Sequence, residues 1–138
     1  MRRWLNLSIL LPTLLTLAGC ATSQRSDLLT TTLNAYANAV RWGDMDHAVV
    51  YLDPKLRPEQ SLSSIDRERY KQLRVSEYDD GNGPVPAGEN EVRQVVKISF
   101  VNNHTQSERT IVDHQTWHYD TASKHWWLTS GLPDLNQD

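Results

Sequence analysis

Residues 91–102 read Glu91-Val92-Arg93-Gln94-Val95-Val96-Lys97-Ile98-Ser99-Phe100-Val101-Asn102, and the alternation within them decides the fold. Val92, Val96, Ile98 and Phe100 fall on one side of an extended chain, with Arg93, Lys97 and Ser99 on the other. A period of two over so many residues predicts a long strand with one buried face. Upstream the period is close to 3.6. Leu29, Leu33, Tyr36, Ala37 and Val40 form one helical stripe, with Asp27 or Ser26 placed to cap its start and Gly43 to end it. Asp44 opens a second helix carrying Met45, Ala48, Val49 and Leu52, which Asp53-Pro54 stops, because the residue before proline is pushed out of helical geometry. A third, shorter helix is expected from about Leu62 to Gln72, with Leu62, Ile65 and Tyr70 as its apolar contacts. Leu73 and Val75 then alternate with Arg74 and Ser76 in a strand that ends at the turn formers Asp79-Asp80-Gly81-Asn82-Gly83-Pro84.

Downstream, Asn102 to Gln106 turns the chain into a second long strand from Arg109 to Tyr119. Ile111, Trp117 and Tyr119 share one face of it, and Val112, His114, Thr116 and His118 share the other. Asp120 to Lys124 makes a hairpin turn into His125-Trp126-Trp127-Leu128-Thr129-Ser130, and Gly131 and Pro133 close that strand. Helices first and an antiparallel meander of about four strands after them is the pattern of a segregated α+β domain. The strand lengths and aromatic content fit a strongly curved sheet with the helices packed into its concave face.

The first residues have a different character. Arg2 and Arg3 precede a mostly apolar run from Leu5 to Leu17, broken by Asn6, Ser8, Pro12, Thr13 and Thr16. A basic start and a short apolar run are the pattern of a secretory signal, and the run falls short of the roughly 20 apolar residues of a membrane span. Leu17-Ala18-Gly19-Cys20 ends it with the single cysteine of the chain. This resembles the lipobox of bacterial lipoproteins. The resemblance implies cleavage after Gly19, a signal peptide over residues 1–19, acylation of Cys20, and a polar tether over 20–26 leading to a domain over 27–138. Ala21 stands where Asp favours inner-membrane retention in enterobacteria-like sorting, so the resemblance implies the outer membrane, facing the periplasm. A reactive thiolate would need a polarised pocket to lower its pKa, and an export signal offers none. With Cys20 acylated, no thiol is left for a disulfide.

Removing residues 1–19 leaves 119 of the 138 residues, one domain by size. The fourteen basic residues fall to twelve without Arg2 and Arg3, against seventeen acidic ones, so the net charge moves from −3 to −5. The basic residues are scattered, which excludes the basic patch that nucleic-acid binding needs.

Two stretches carry a further resemblance. "AYANAVRWGDMDHAVVYLDP" (35–54) looks like the helical opening of NTF2-like (cystatin-like) α+β domains, and "HYDTASKHWWLTSGLP" (118–133) looks like their closing hairpin. The resemblance implies a conical α+β fold. The superfamily holds isomerases, dehydratases and transport factors, so it leaves function open.

The chemistry-bearing residues are few. His114 and His118 share a strand face but stand about 13 Å apart, too far to ligate one metal, and no paired-cysteine motif, Gly-rich phosphate loop or catalytic triad stands out. No metal and no cofactor beyond the lipid on Cys20 is expected. An enzyme of the isomerase kind would place a carboxylate or a His–Asp pair inside the cone, where burial shifts its pKa. Asp113 and His114, which alternate to opposite faces, are the catalytic candidates, and Asp113 shares the parity of Ile111 and Trp117. Tyr36 and Tyr78 are candidate hydroxyl donors. Trp126 and Trp127 point to opposite faces, so one belongs to the core and the other is partly exposed; together with Tyr36 they are the candidate ligand or partner anchors. The sparse chemistry points to a membrane-anchored envelope lipoprotein, more a binder than an enzyme, whose domain takes a protein partner or a small apolar ligand. The alternative is a periplasmic NTF2-like isomerase- or dehydratase-type enzyme, and a purely structural envelope protein is a third reading.

Overall fold

The computed structural model of the protein describes residues 17–135. Of the expected 1–19 signal peptide, residues 1–16 lie outside the described residues and 17–19 fall in the first turn of α1. Helix α1 spans Leu17–Arg41 in 25 residues, further back than the expected start at Ser26 or Asp27. Two causes are visible. No glycine or proline falls between Cys20 and Arg41, and Arg25 docks on the sheet, which fixes the turn around it. The stretch 20–26, expected as a tether, is therefore helical. Polar residues within α1 are absorbed locally: the Thr30 and Thr32 hydroxyls donate to the carbonyls of Ser26 and Leu28, one turn back, at 3.2 and 2.8 Å. The helix closes at Gly43, whose φ of +70° lies in the left-handed region that glycine enters without a Cβ penalty. From there the Gly43 and Asp44 N–H groups donate back to Val40 and Ala39 at 3.0 and 2.9 Å.

Asp44 caps α2 (Met45–Ala48) by accepting from the His47 N–H at 3.0 Å. A 3-10 turn (Val49–Tyr51) follows, and the chain then makes a parallel bridge between Leu52 and Leu128. A short α3 (Arg57–Gln60), absent from the sequence expectation, starts with proline in its first turn. Helix α4 (Ser64–Lys71) has a complete capping box between Ser63 and Asp66. Tyr70 docks it inward, donating to the Pro133 carbonyl at 2.9 Å. Ile65, expected as an apolar contact, is 65 % exposed; a helix of two turns held through Tyr70 turns its other side to solvent.

The strands are β1 (Leu73–Asp79), β2 (Val85–Pro86), β3 (Glu91–Asn102), β4 (Glu108–Asp120) and β5 (His125–Leu128). The sheet order is β1-β3-β4-β5, with the two-residue β2 also on β3 and every pairing antiparallel. The helices pack on this curled sheet, an α+β cone as the sequence pattern indicates. Register settles what faces what: Val92 opposes Trp117, Gln94 opposes Gln115, Val96 opposes Asp113 and Ile98 opposes Ile111. Against them, Tyr36, Val40, Leu52 and Leu128 complete the core, each buried to 1 % exposure or less. Side chains of this size buried so completely each contribute on the order of 2–3 kcal/mol.

Candidate functional site

Strand parity carries three polar side chains into the concave, helix-facing side of the sheet. On β3, Gln94 falls between Val92 and Val96; on β4, Asp113 and Gln115 fall between Ile111 and Trp117. All three are buried, Gln115 to 1 % exposure, and such groups must find partners or cost free energy. Gln115 finds four. Its carbonyl oxygen accepts from Gln94 Nε2 at 2.7 Å and from the Trp117 indole N–H at 3.2 Å. Its amide nitrogen donates to Asp113 Oδ2 at 2.8 Å and to the Tyr78 hydroxyl at 3.2 Å. Because the indole only donates and a carboxylate only accepts, the amide has a single workable orientation.

The charge state follows from burial. Asp113 is pushed above the usual carboxylate range by desolvation, partly offset by the Gln115 hydrogen bond and by His114. Burial raises the Tyr78 phenol to about 12. Tyr36 and Tyr70 are raised as well, burial first and the Asp113 charge among the further causes. Asp113 thus sits among three neutral phenols. Tyr36 is fully buried, edge-on to Trp117 at 5.2 Å and to Tyr51 at 5.9 Å, and its hydroxyl has no hydrogen-bond partner among the described residues. A carboxyl with a raised pKa beside hydroxyl donors can hold a proton and polarise a carbonyl, provided that a substrate reaches it.

Among the described residues, one cleft reaches the edge of the cluster at Tyr78 and Gln94. This cleft, of about 300 Å³, lies between α1 and the sheet, walled by Leu33, Asn34, Arg41, Tyr78, Asp80 and Gln94 among others. Of the Gln94–Gln115 pair, Gln94 lines it. Among the described residues, neither Asp113 nor Tyr36 lines this cleft or those beside Tyr70 and Gly131, under the 79–83 loop, and beside Asp44. Arg41 is part of its wall, its guanidinium 5.2 Å from the Tyr78 ring centre and donating to the Tyr78 carbonyl at 3.2 Å.

The other candidates are scattered. His114 is on the opposite face from Asp113, exposed, and across from Val95, so the two do not form a dyad. Trp126 is a core residue at 2 % exposure, while Trp127 is half-buried, with His125 at 3.9 Å and the Arg57 guanidinium at 5.3 Å. Burial, then Arg57, lowers the His125 pKa, so that ring is neutral at pH 7. Cys20 is exposed with a free thiol near the start of α1. Gln94 and Gln115 were not expected as site residues, although their inward parity was readable. Trp42, 85 % exposed, is the most solvent-accessible large apolar side chain of the described residues. Among those residues no group of three or more His, Cys, Asp or Glu could hold a metal ion, and no helix is long and apolar enough to cross a membrane. Compared with protein-family models, curated proteins and solved structures, the chain matches none.

Proposed function

We propose that this chain is a membrane-anchored bacterial envelope lipoprotein, acylated on Cys20, whose α+β domain works by binding a protein partner or a small apolar ligand. The anchor rests on the Leu17-Ala18-Gly19-Cys20 motif behind a basic and then apolar segment. The binding reading is supported above all by the filled concave side: Gln115 spends all four of its hydrogen bonds inside the cluster, with Tyr36 and Trp117 packed beside it. Among the described residues that arrangement reads as a packed core, and the clefts described above are not lined by Asp113. What the domain offers outward is apolar surface at Trp42 and at half-buried Trp127, the kind of side chain that anchors interfaces. Ala21 favours the outer membrane, facing the periplasm. Fractionated membranes of cells carrying wild type and Ala21→Asp test that point; identical distributions would remove it.

One observation favours the enzyme alternative, a periplasmic isomerase or dehydratase: Asp113 is a buried carboxyl with a raised pKa, which suits a general acid or base. The two readings separate in one assay. The full-length lipoprotein in detergent is offered a panel of isomerase, dehydratase and hydrolase substrates, alongside Asp113→Asn. No turnover by either is expected. Turnover by wild type that Asp113→Asn abolishes would overturn the binding reading in favour of the enzyme.

A further inference from the structure

Arg25 is held from several sides. Its guanidinium lies 4.6 Å from the Tyr119 ring centre and 5.2 Å from that of Trp126, Nη2 donates to the Glu89 carbonyl at 2.6 Å, and its own carbonyl accepts from the Trp126 indole at 3.2 Å. These partners come from the end of β4, from β5 and from the turn before β3, which together form one rim of the sheet. Tyr119 and Asn90 are joined across that rim by a backbone hydrogen bond of 2.8 Å. Cys20 is five residues before Arg25 in the same unbroken helix, about 7.5 Å at the helical rise. A flexible link of five residues could reach about 17 Å and swivel freely. The turn 103–106 stands at the opposite end of β3 and β4, roughly 36 Å of strand away.

We propose that the rim formed by residues 87–90 and the Asp120–Lys124 hairpin is a membrane-contacting surface, held against the headgroups by a rigid helical tether. The inference rests on the acylation of Cys20 in the function proposed above. A lipid on Cys20 puts the bilayer within a turn and a half of helix from Arg25, and the Arg25 clamp passes that constraint to the whole domain. The rim carries Glu89 and Asp120 against Lys124, a mixed surface that fits zwitterionic headgroups better than strongly anionic ones. The 103–106 turn consequently points away from the membrane.

The full-length acylated protein in phosphatidylcholine vesicles tests this. Cys20 is blocked by its lipid, so a fluorophore attaches only at an introduced thiol, Thr121→Cys on the rim or His104→Cys at the far turn. Nitroxide-headgroup lipids should quench the rim probe at least threefold more strongly than the far probe, and Arg25→Ala should bring the two towards equality. Equal quenching in the wild-type background, or stronger quenching at the far turn, would overturn the fixed orientation while leaving the anchor intact. Protein that neither carries an acyl mass on Cys20 nor floats with the vesicles would instead sink the anchoring reading, and this inference with it.

Discussion

Inward from β4 the chain sets Ile111, Asp113, Gln115 and Trp117; outward it sets Val112, His114, Thr116 and His118. The two rows share one strand and similar residue types, yet their polar members live under different rules. An inward polar group has lost water and depends on the partners that register gives it, as Gln115 does on Gln94, Asp113, Trp117 and Tyr78. An outward one, such as exposed His114, keeps its solvent. Substitutions on the two rows should therefore differ in size more than in kind.

The largest effect is expected at Gln115. Gln115→Ala leaves an indole N–H, a carboxyl and an amide without their shared partner and opens a cavity, at a cost of about 3 kcal/mol in urea unfolding. A loss below 1 kcal/mol would mean that the cluster is wetter than its packing indicates. Asp113→Asn sharpens the contrast through pH. The raised pKa means that the unfolded chain ionises before the folded one. Below the ordinary carboxylate range both states hold the proton and there is no penalty. As pH rises, the penalty grows until the folded carboxyl also ionises, and stability is lost on that side. The variant should be more stable than wild type at neutral pH and lose that advantage in acid; a difference that does not vary with pH would contradict the desolvated carboxyl. Acids lowered in the fold, Asp66 and Asp120, act in the opposite direction but cancel in the difference.

Tyr36→Phe removes a buried hydroxyl that has no partner among the described residues and keeps the edge-on ring contacts. A gain of about 1 kcal/mol is expected in thermal or urea unfolding; a loss would reveal a hidden partner, such as a trapped water. On the outward row, His114→Ala should stay within about 0.5 kcal/mol of wild type. A larger loss there would erase the distinction between the rows.

The sequence made the α+β order legible because each signal was local: a period near 3.6 that becomes two, Gly43 and Asp44 at one helix boundary, the Asp120–Lys124 turn. Asp113 was legible as an inward carboxyl by parity alone. The start of α1 was not, since the cap signals at Ser26 and Asp27 compete with a breaker-free run and with Arg25, whose partners are over 60 residues away at Glu89 and about 100 away at Trp126. β2 and α3 are too short to leave a period. The pairing of Gln94 with Gln115 depends on hairpin register, which the turn at 103–106 sets and no single strand reveals. The unpartnered Tyr36 hydroxyl depends on the packing of α1 against Trp117, a contact between distant segments.

The anchor from which the proposed function starts is tested most directly by mass spectrometry of the N-terminal peptide, taken from protein extracted from the membranes of cells expressing the full chain. The expected peptide begins at Cys20 and carries the added mass of a diacylglyceryl group, and Cys20→Ser abolishes both the cleavage and the added mass. A chain that keeps residues 1–19, or that begins elsewhere with Cys20 as a free thiol, would contradict it.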